Sequence, residues 1–326
     1  PKTLTGVFRI TDKAWKSAQT NEDAFIRLFT SEARSLEKGT KWDLNRQMWG
    51  NGSGVMGTLA PLVAPGNTFT ILSGVQNFIE GQVVDVYDYS GAGNALAKVV
   101  DRGLITAVTN KPGGALTFTV TTITGGAIAV ALVAGALGEA PYVTMQGSAN
   151  NEITGLAAIH DATIVNLYGL PKATNPWLVP HTANANNAIS DSVIQNMINY
   201  LEDYFGCNTD IIEAGAGAYT SYYAYLEATK RNINTMKLAG GFSGIGYGDI
   251  PIVRDRFAPD GDMQFLETAK WHFHQLGEWD WMDGYAGEGN ILQQVPGFAY
   301  YQATLIKHAE LMCEHPGGQG RLINCN

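Results

Sequence analysis

Apolar residues recur at three- and four-residue intervals in a few stretches of this chain and at alternate positions through much of the rest. That pattern predicts helices set among many short strands. Residues 20 to 48 place Phe25, Leu28, Phe29 and Leu36 at helical spacing with charges between them. The stripe is sparse, so such a helical arm buries little until another surface covers it. Trp49-Gly50-Asn51-Gly52-Ser53-Gly54 closes it, because a glycine cluster does not continue a helix cheaply. The clearest helix spans Asp191 to Phe205, with Val193, Ile194, Met197, Ile198, Leu201, Tyr204 and Phe205 on one face and Asp191, Gln195, Asn199, Glu202 and Asp203 on the other. Ser190 is its expected N-cap and Gly206 follows its end, giving a rod of about 20 Å at 1.5 Å per residue.

From about Thr68 to Met145 the texture changes to short runs of Val, Ile and Thr, such as Val83 to Tyr87 and Leu116 to Ile123. Turns at Gly81-Gln82, Ser90-Gly91-Ala92-Gly93 and Lys111-Pro112-Gly113-Gly114 divide them into four or five strands, which form a long hairpin or a small barrel. A strand at Asp210 to Glu213 precedes a helix from about Tyr219 to Lys230, so the fold class is mixed, α+β. After Gly240-Gly241 short strands and turns return, with one brief helix near Leu266 to His272. Tyr300 to Glu314 fits either period: Tyr301, Ala303, Leu305, Ala309, Leu311 and Cys313 alternate, while Leu305, Ile306, Ala309, Met312 and Cys313 suit a helix.

The chain has 326 residues, enough for a sizeable core and about two domains. Charged residues make up only 16% and there are 38 glycines, so fewer side chains solvate the surface and more of it is expected to meet partners. The formal charge is -9, which repels phosphate backbones and argues against tight nucleic-acid binding. Lysines and arginines gather between Lys2 and Arg46, but acids are interleaved there, as on a solvated helix face. The apolar tract Ala127 to Ala136 is too short for a membrane span. The chain begins at Pro1 without the pattern of a secretory leader, and either trimming or removal of a longer leader explains the missing methionine. Cys207, Cys313 and Cys325 are too few and too scattered for a disulfide framework and suit a reducing compartment. Cys325 is the candidate for a disulfide to a neighbouring subunit, since chain ends are usually mobile.

No constellation for catalysis, cofactor binding or metal binding stands out. Gly244-Ile245-Gly246-Tyr247-Gly248 and Gly91-Ala92-Gly93 lack the glycine spacing of a dinucleotide loop. His272 and His274 flank Phe273 without a third ligand at a recognisable spacing. Glu278, Asp280 and Asp283 lie among Trp279 and Trp281, which is the raw material of a glycosidase acid and base. The same alternation equally suits a strand with its indoles on one face and its acid on the other.

Gly248-Asp249-Ile250-Pro251-Ile252-Val253-Arg254-Asp255-Arg256-Phe257-Ala258-Pro259, then Met263-Gln264-Phe265-Leu266, then Trp271-His272-Phe273-His274-Gln275-Leu276 closely resemble major capsid proteins of tailed bacteriophages with the Hong Kong 97 fold. Val295-Pro296-Gly297, Ala309-Glu310-Leu311-Met312-Cys313 and Gly318-Gln319-Gly320-Arg321-Leu322 continue the likeness, and upstream Lys41-Trp42-Asp43-Leu44-Asn45-Arg46-Gln47 and Asn150-Asn151-Glu152-Ile153-Thr154-Gly155-Leu156 resemble the end of that family's arm and the re-entry into its body. The likeness is thinnest from Thr58 to Gly147.

The resemblance implies a Hong Kong 97-like capsid fold: an N-terminal arm over 1–58, a β-rich extended loop or, since this stretch is longer than a minimal loop, an inserted small β-domain over 59–149, a peripheral domain from 150–208 and 291–326 with its spine helix at 191–205, and an axial domain over 209–290. It further implies a structural protein, not an enzyme, whose copies form hexamers and pentamers of an icosahedral shell around double-stranded DNA. The implied partners are other copies, portal and scaffolding proteins and a decoration protein. The implied location is the virion, with assembly in the bacterial host cytoplasm. Arg254, Arg256, Trp279 and Trp281 are the candidate intersubunit contacts, with packing inside the subunit as their alternative role. The other readings are an encapsulating protein nanocompartment and a secreted carbohydrate-active protein using the Trp279 to Asp283 acids. Lys98 and Lys111 match no cross-linking motif.

Overall fold

The computed structural model describes residues 1–19, 22–92, 95–109, 117–122, 126, 128–161, 163–186, 188–229, 235–237, 243–282 and 291–325. Three bodies can be told apart, each with a sheet of its own. In the first, the N-terminal strand Lys2–Thr11 runs antiparallel along Tyr300–Cys313, from Lys2 opposite Ala309 to Thr11 opposite Tyr300. The other side of that long strand is lined in turn by Trp271–Gln275, Asp280–Trp281 and Gln293–Gln294. Partners on both sides settle the ambiguous C-terminal stretch as a strand, with Leu305, Lys307, Ala309, Leu311 and Cys313 buried at alternate positions.

Leu4, Gly6, Phe8 and Ile10 of the N-terminal strand face inward and Thr3, Thr5, Val7 and Arg9 face out. Helices α1 (Asp12–Gln19) and α2 (Glu22–Trp49) follow, and the inward face of the strand supplies the cover that the sparse stripe of α2 needs. The Phe29 ring meets Phe8 edge-on at 5.6 Å, and Leu36 joins the same core. Gly6 is required where the helix crosses the strand, since a Cβ there would lie 2.6 Å from Thr40 Cγ2 and 2.9 Å from Leu36 Cδ1. At its far end α2 reaches the other parts of the chain through Trp42, whose ring lies 5.3 Å from Phe257, and through Arg46, paired with Glu152.

The second body is the β-rich stretch. Its described residues hold eight strands, more than its turn signals predict: a six-stranded sheet, with Val83–Gly91 and Ala95–Thr109 at its centre, and a separate pair, Leu62–Gly66 with Val130–Leu132. Met56, Phe69, Phe78, Val84, Phe118 and Val143 build a core drawn only from this stretch. Asp85 is buried among its strands and accepts hydrogen bonds from the backbone N–H of Arg102 (2.9 Å) and Gly147 (3.1 Å) and from Lys98 Nζ (3.0 Å). Of the lysines weighed above, Lys98 is thus held in an ion pair, and Lys111 lies outside the described residues.

The third body is a seven-stranded sheet in the order His181–Asn184, Gly320–Ile323, Met263–Leu266, Ile211–Ala214, Ile250–Arg254, Ser243–Tyr247 and Thr235–Lys237. After the five-residue helix α3 (Leu156–His160), α4 (Asp191–Phe205) and α5 (Ala216–Thr229) contribute to its core, which gathers Ile194, Met197, Leu201, Ile212, Tyr222, Phe265, Leu322 and Cys325. Gly206 ends α4 in the left-handed conformation, its N–H bonded to Glu202 O, while the Ser190 side chain makes no cap bond to the helix. Tyr204 departs from the expected buried face: it is exposed and packs on Tyr200 at 4.5 Å. Leu201 and Ile212 share one core, so the expected boundary at 208/209 passes through continuous packing, and the helix lying along the first sheet is α2. The brief helix expected near Leu266 to His272 is a strand, a single 3-10 turn at Thr268–Lys270 and a second strand, because this segment crosses from the third sheet to the first.

Candidate assembly surfaces

Trp279 and Trp281 lie two residues apart, the first in a bend and the second in the short strand Asp280–Trp281, and both indoles pack against residues of the first sheet. Trp279 packs with Leu4, Ile153 and Ala309, and Trp281 meets Phe8 edge-on at 5.8 Å. They are half-buried, and Asp280 between them is exposed. Leu276 N–H bonds His308 O at 3.1 Å and Met282 N–H bonds Thr304 O at 2.8 Å, fixing the segment at both ends. Between Leu276 and the paired Asp280–Trp281 lies an open cleft of about 630 Å³, floored by Ile306, Lys307 and His308 of the long strand. Leu276 and Met282 are the exposed apolar residues of its rim.

Beneath the cleft lies a residue that the sequence reading passed over. Lys307 is buried on the inward face of the long strand, with its Nζ 5.6 Å from the Phe273 ring centre and 5.8 Å from that of Trp279. Glu278 reaches in from solvent to pair with it at 3.2 Å. The bonds from Gln275 and Lys307 hold the Glu278 carboxyl below its ordinary range. That is the wrong direction for a glycosidase acid, which must keep its proton near neutral pH. Asp283, the third acid of that reading, lies outside the described residues. His272 sits on strand Trp271–Gln275 and pairs with Glu314 at 3.1 Å, and no group of three potential metal ligands forms among the described residues. Gly244 to Tyr247 belong to a sheet strand, with no helix following them as a dinucleotide site requires. Gly93 of the other glycine run is outside the described residues.

Arg254 and Arg256 differ from the tryptophans. Both are exposed, and neither makes an ion pair among the described residues. They flank Asp255, whose Oδ1 accepts the Phe257 N–H at 2.6 Å, so the turn carrying them is fixed while their guanidinium groups remain open to a partner. The β-rich body adds two side chains the sequence reading did not single out. Val63 is 96% and Leu137 is 92% exposed. Leu137 is held out by an ordered turn, in which Glu139 Oε2 accepts the Leu137 N–H at 3.0 Å and Gly135 N–H bonds Glu139 O at 2.8 Å. Hydrophobic periodicity could not flag either residue, since nothing in the sequence says which apolar position of a short strand or turn lacks a cover.

Cys325 is enclosed. It lies in the core of the third body, its N–H bonded to Gly261 O at 2.8 Å, and burial pushes its thiol up to about 12. A disulfide from Cys325 to a neighbour therefore requires this part of the core to open, because the segment bearing it is packed where a mobile end was expected.

No family model matches the chain, and no curated protein matches its sequence. Among solved structures it is similar to the capsid asymmetric unit of cyanophage A-1(L), at 14% identity over 54% of this chain and 61% of that one, with a TM-score of 0.41. It is similar to the holo-SrpI encapsulin complex of Synechococcus elongatus, at 13% identity over 49% and 58%, with a TM-score of 0.35. It is also similar to a chain of the satellite phage P4 procapsid that includes the size determination protein, at 9% identity over 99% and 75%, with a TM-score of 0.39. The chain matches less than two thirds of the length of the first two.

Proposed function

We propose that this chain is the major capsid protein of a tailed bacteriophage, a structural shell protein whose copies form the hexamers and pentamers of an icosahedral head around double-stranded DNA. The observation that carries the reading is the run from Gly248 to Leu322, which resembles the Hong Kong 97 family motif after motif while its described residues form strands of two sheets and no reaction centre. The surface supports it. An ordered turn that holds Leu137 in water and a strand that exposes Val63 offer apolar surface for neighbours to cover. The N-terminal strand adds a row of Thr3, Thr5, Val7 and Arg9 along a sheet edge to which no backbone hydrogen bond runs among the described residues. Portal, scaffolding and decoration proteins would dock on the assembled lattice, and DNA would be enclosed without sequence-specific contact, in keeping with the charge of -9.

Negative-stain imaging of the purified chain, with and without nuclease before extraction of the contents, tests this. Closed hollow particles holding nuclease-protected DNA are expected when the protein is made with its packaging partners. Particles that hold protein in place of nucleic acid would point to a nanocompartment. A chain that stays a single compact monomer at high concentration would overturn the shell reading altogether.

A further inference from the structure

Glu213 lies on Ile211–Ala214, the middle strand of the seven-stranded sheet, beside Val253 on one side and Gln264 on the other. Ile212 and Ala214 point into the core shared with α4 and α5, so Glu213 looks out of the opposite face. It is partly buried there and makes no hydrogen bond or ion pair among the described residues. Gln264, directly across from it, is buried, and its Oε1 has no partner either. The buried Gln264 Oε1 is left without a donor, which is costly. A proton on Glu213 supplies one, because a neutral carboxyl donates where a carboxylate cannot.

We propose that Glu213 is a proton-operated lock on this sheet: as the neutral acid it ties its strand to Met263–Leu266 through an O–H bond to Gln264 Oε1, and on giving its proton to solvent it becomes an unpaired carboxylate that loosens the two strands. The charged groups sharing this face are Asp255, which follows Val253, and the Asp262–Arg321 ion pair beyond Gln264. Arg321 also lies near His160 of α3, as does Lys172. Of these, Asp255 acts on Glu213. Burial first, and then the Asp255 charge, push the Glu213 carboxyl up to about 7 from an ordinary 4.5. A folded value raised above the unfolded one gives stability that is complete below 4.5 and is lost as pH rises through about 7. The lock thus opens near neutrality, where a modest change in acidity alters the stiffness of the third body.

Urea unfolding of the wild type and Glu213→Gln at about pH 5 and about pH 8 tests the lock. The amide of Glu213→Gln donates to Gln264 Oε1 at every pH. The two proteins should be similar at the lower pH, and at the higher one the variant's unfolding equilibrium should favour the folded state by roughly a hundredfold. Asp255→Asn keeps an acceptor for the Phe257 N–H, removes the repelling charge, and should move the wild-type loss of stability to lower pH. Infrared difference spectra of the wild type should show a protonated carboxyl C=O stretch that disappears through neutrality. Parallel pH profiles for wild type and Glu213→Gln, or spectra with no such band, would overturn the proposal. The readouts are unfolding and vibration, so either result leaves the shell reading untouched.

Discussion

Arg46, in the last turn of α2, and Glu152, 106 residues further on, form a buried two-point ion pair. Arg46 Nη1 donates to Glu152 Oε2 at 3.1 Å and Nη2 to Oε1, while Nε and Nη2 also bond Asp43 Oδ1 at 3.0 and 2.8 Å. The planar fork holds Glu152 at two points while also serving Asp43, a two-point geometry that an ammonium does not match. The pair ties the end of the arm helix to the chain just where it leaves the β-rich body. Gly155 completes the join, since a Cβ there would collide with the carbonyl oxygens of Gln47 and Met48.

Removing one partner leaves the other charge buried. Arg46→Met should destabilise the subunit by about 3–5 kcal/mol, and Arg46→Lys should recover only part of that. The double replacement Arg46→Met with Glu152→Leu should be more stable than Arg46→Met alone, because no charge is then left uncompensated. Urea denaturation followed by tryptophan fluorescence reads all three. A single Arg46→Met costing no more than an exposed substitution would show that the ion pair does not hold the arm.

His160 gives acid sensitivity of the opposite sign to Glu213. Both of its ring nitrogens are buried without a partner, and burial, with Arg321 and Lys172 nearby, pushes it down to about 3. The folded state keeps the ring neutral while the unfolded chain takes up a proton below 6.5, so stability falls as pH drops from 6.5 toward about 3. His160→Phe should flatten that acid slope and leave neutral pH little changed. Imidazole resonances of the wild type should show this ring failing to titrate through the ordinary histidine range; a normal midpoint would refute its burial.

The thiols should be silent in the folded protein. Cys207, Cys313 and Cys325 are all buried, and each is pushed up to about 12, chiefly by burial; in Cys207 the Glu267 carboxylate, which accepts its S–H at 2.7 Å, adds to this. A thiol reagent should label none of the three at neutral pH and all three after denaturation. A non-reducing gel of protein alkylated before unfolding should show monomers. Rapid labelling of Cys325 in the native protein would restore it as a link to a neighbour.

How far the sequence reaches depends on whether a feature is local. The Asp191–Phe205 helix and its Gly206 stop are legible because cap, period and stop all lie within one short window. The α2 arm is legible too, but its partner is not: Phe8 and Gly6 meet it from across the first sheet, and no window holds both. Tyr300–Cys313 satisfies two periods at once, and only strands from both ends of the chain decide between them. The candidate contacts divide on the same ground. The alternation of Trp279 and Trp281 gives their shared face but not that it is turned inward, and Arg254 and Arg256 are chosen for their guanidinium chemistry, while the fixed turn that leaves them exposed is seen only in the structure. Lys307 and Glu213 were missed because a charged residue in a strand looks like surface until its neighbours are known.

Leu137 and Arg256 separate assembly from folding. Leu137 contributes almost nothing to its own subunit, so Leu137→Lys should leave the unfolding midpoint within the small range of surface changes, about 0.5 kcal/mol, and Arg256→Glu should do the same. If these residues meet other copies, each variant should build fewer or smaller particles than the wild type at equal concentration, read by sedimentation and by imaging. Leu137 acts through apolar cover and Arg256 through charge, which distinguishes them by salt: raising the ionic strength should weaken wild-type assembly and narrow the gap to Arg256→Glu, yet leave the gap to Leu137→Lys open. A variant that keeps the wild-type midpoint and assembles normally removes its residue from the interface. A variant that fails to fold shows instead that the side chain packs within its own subunit.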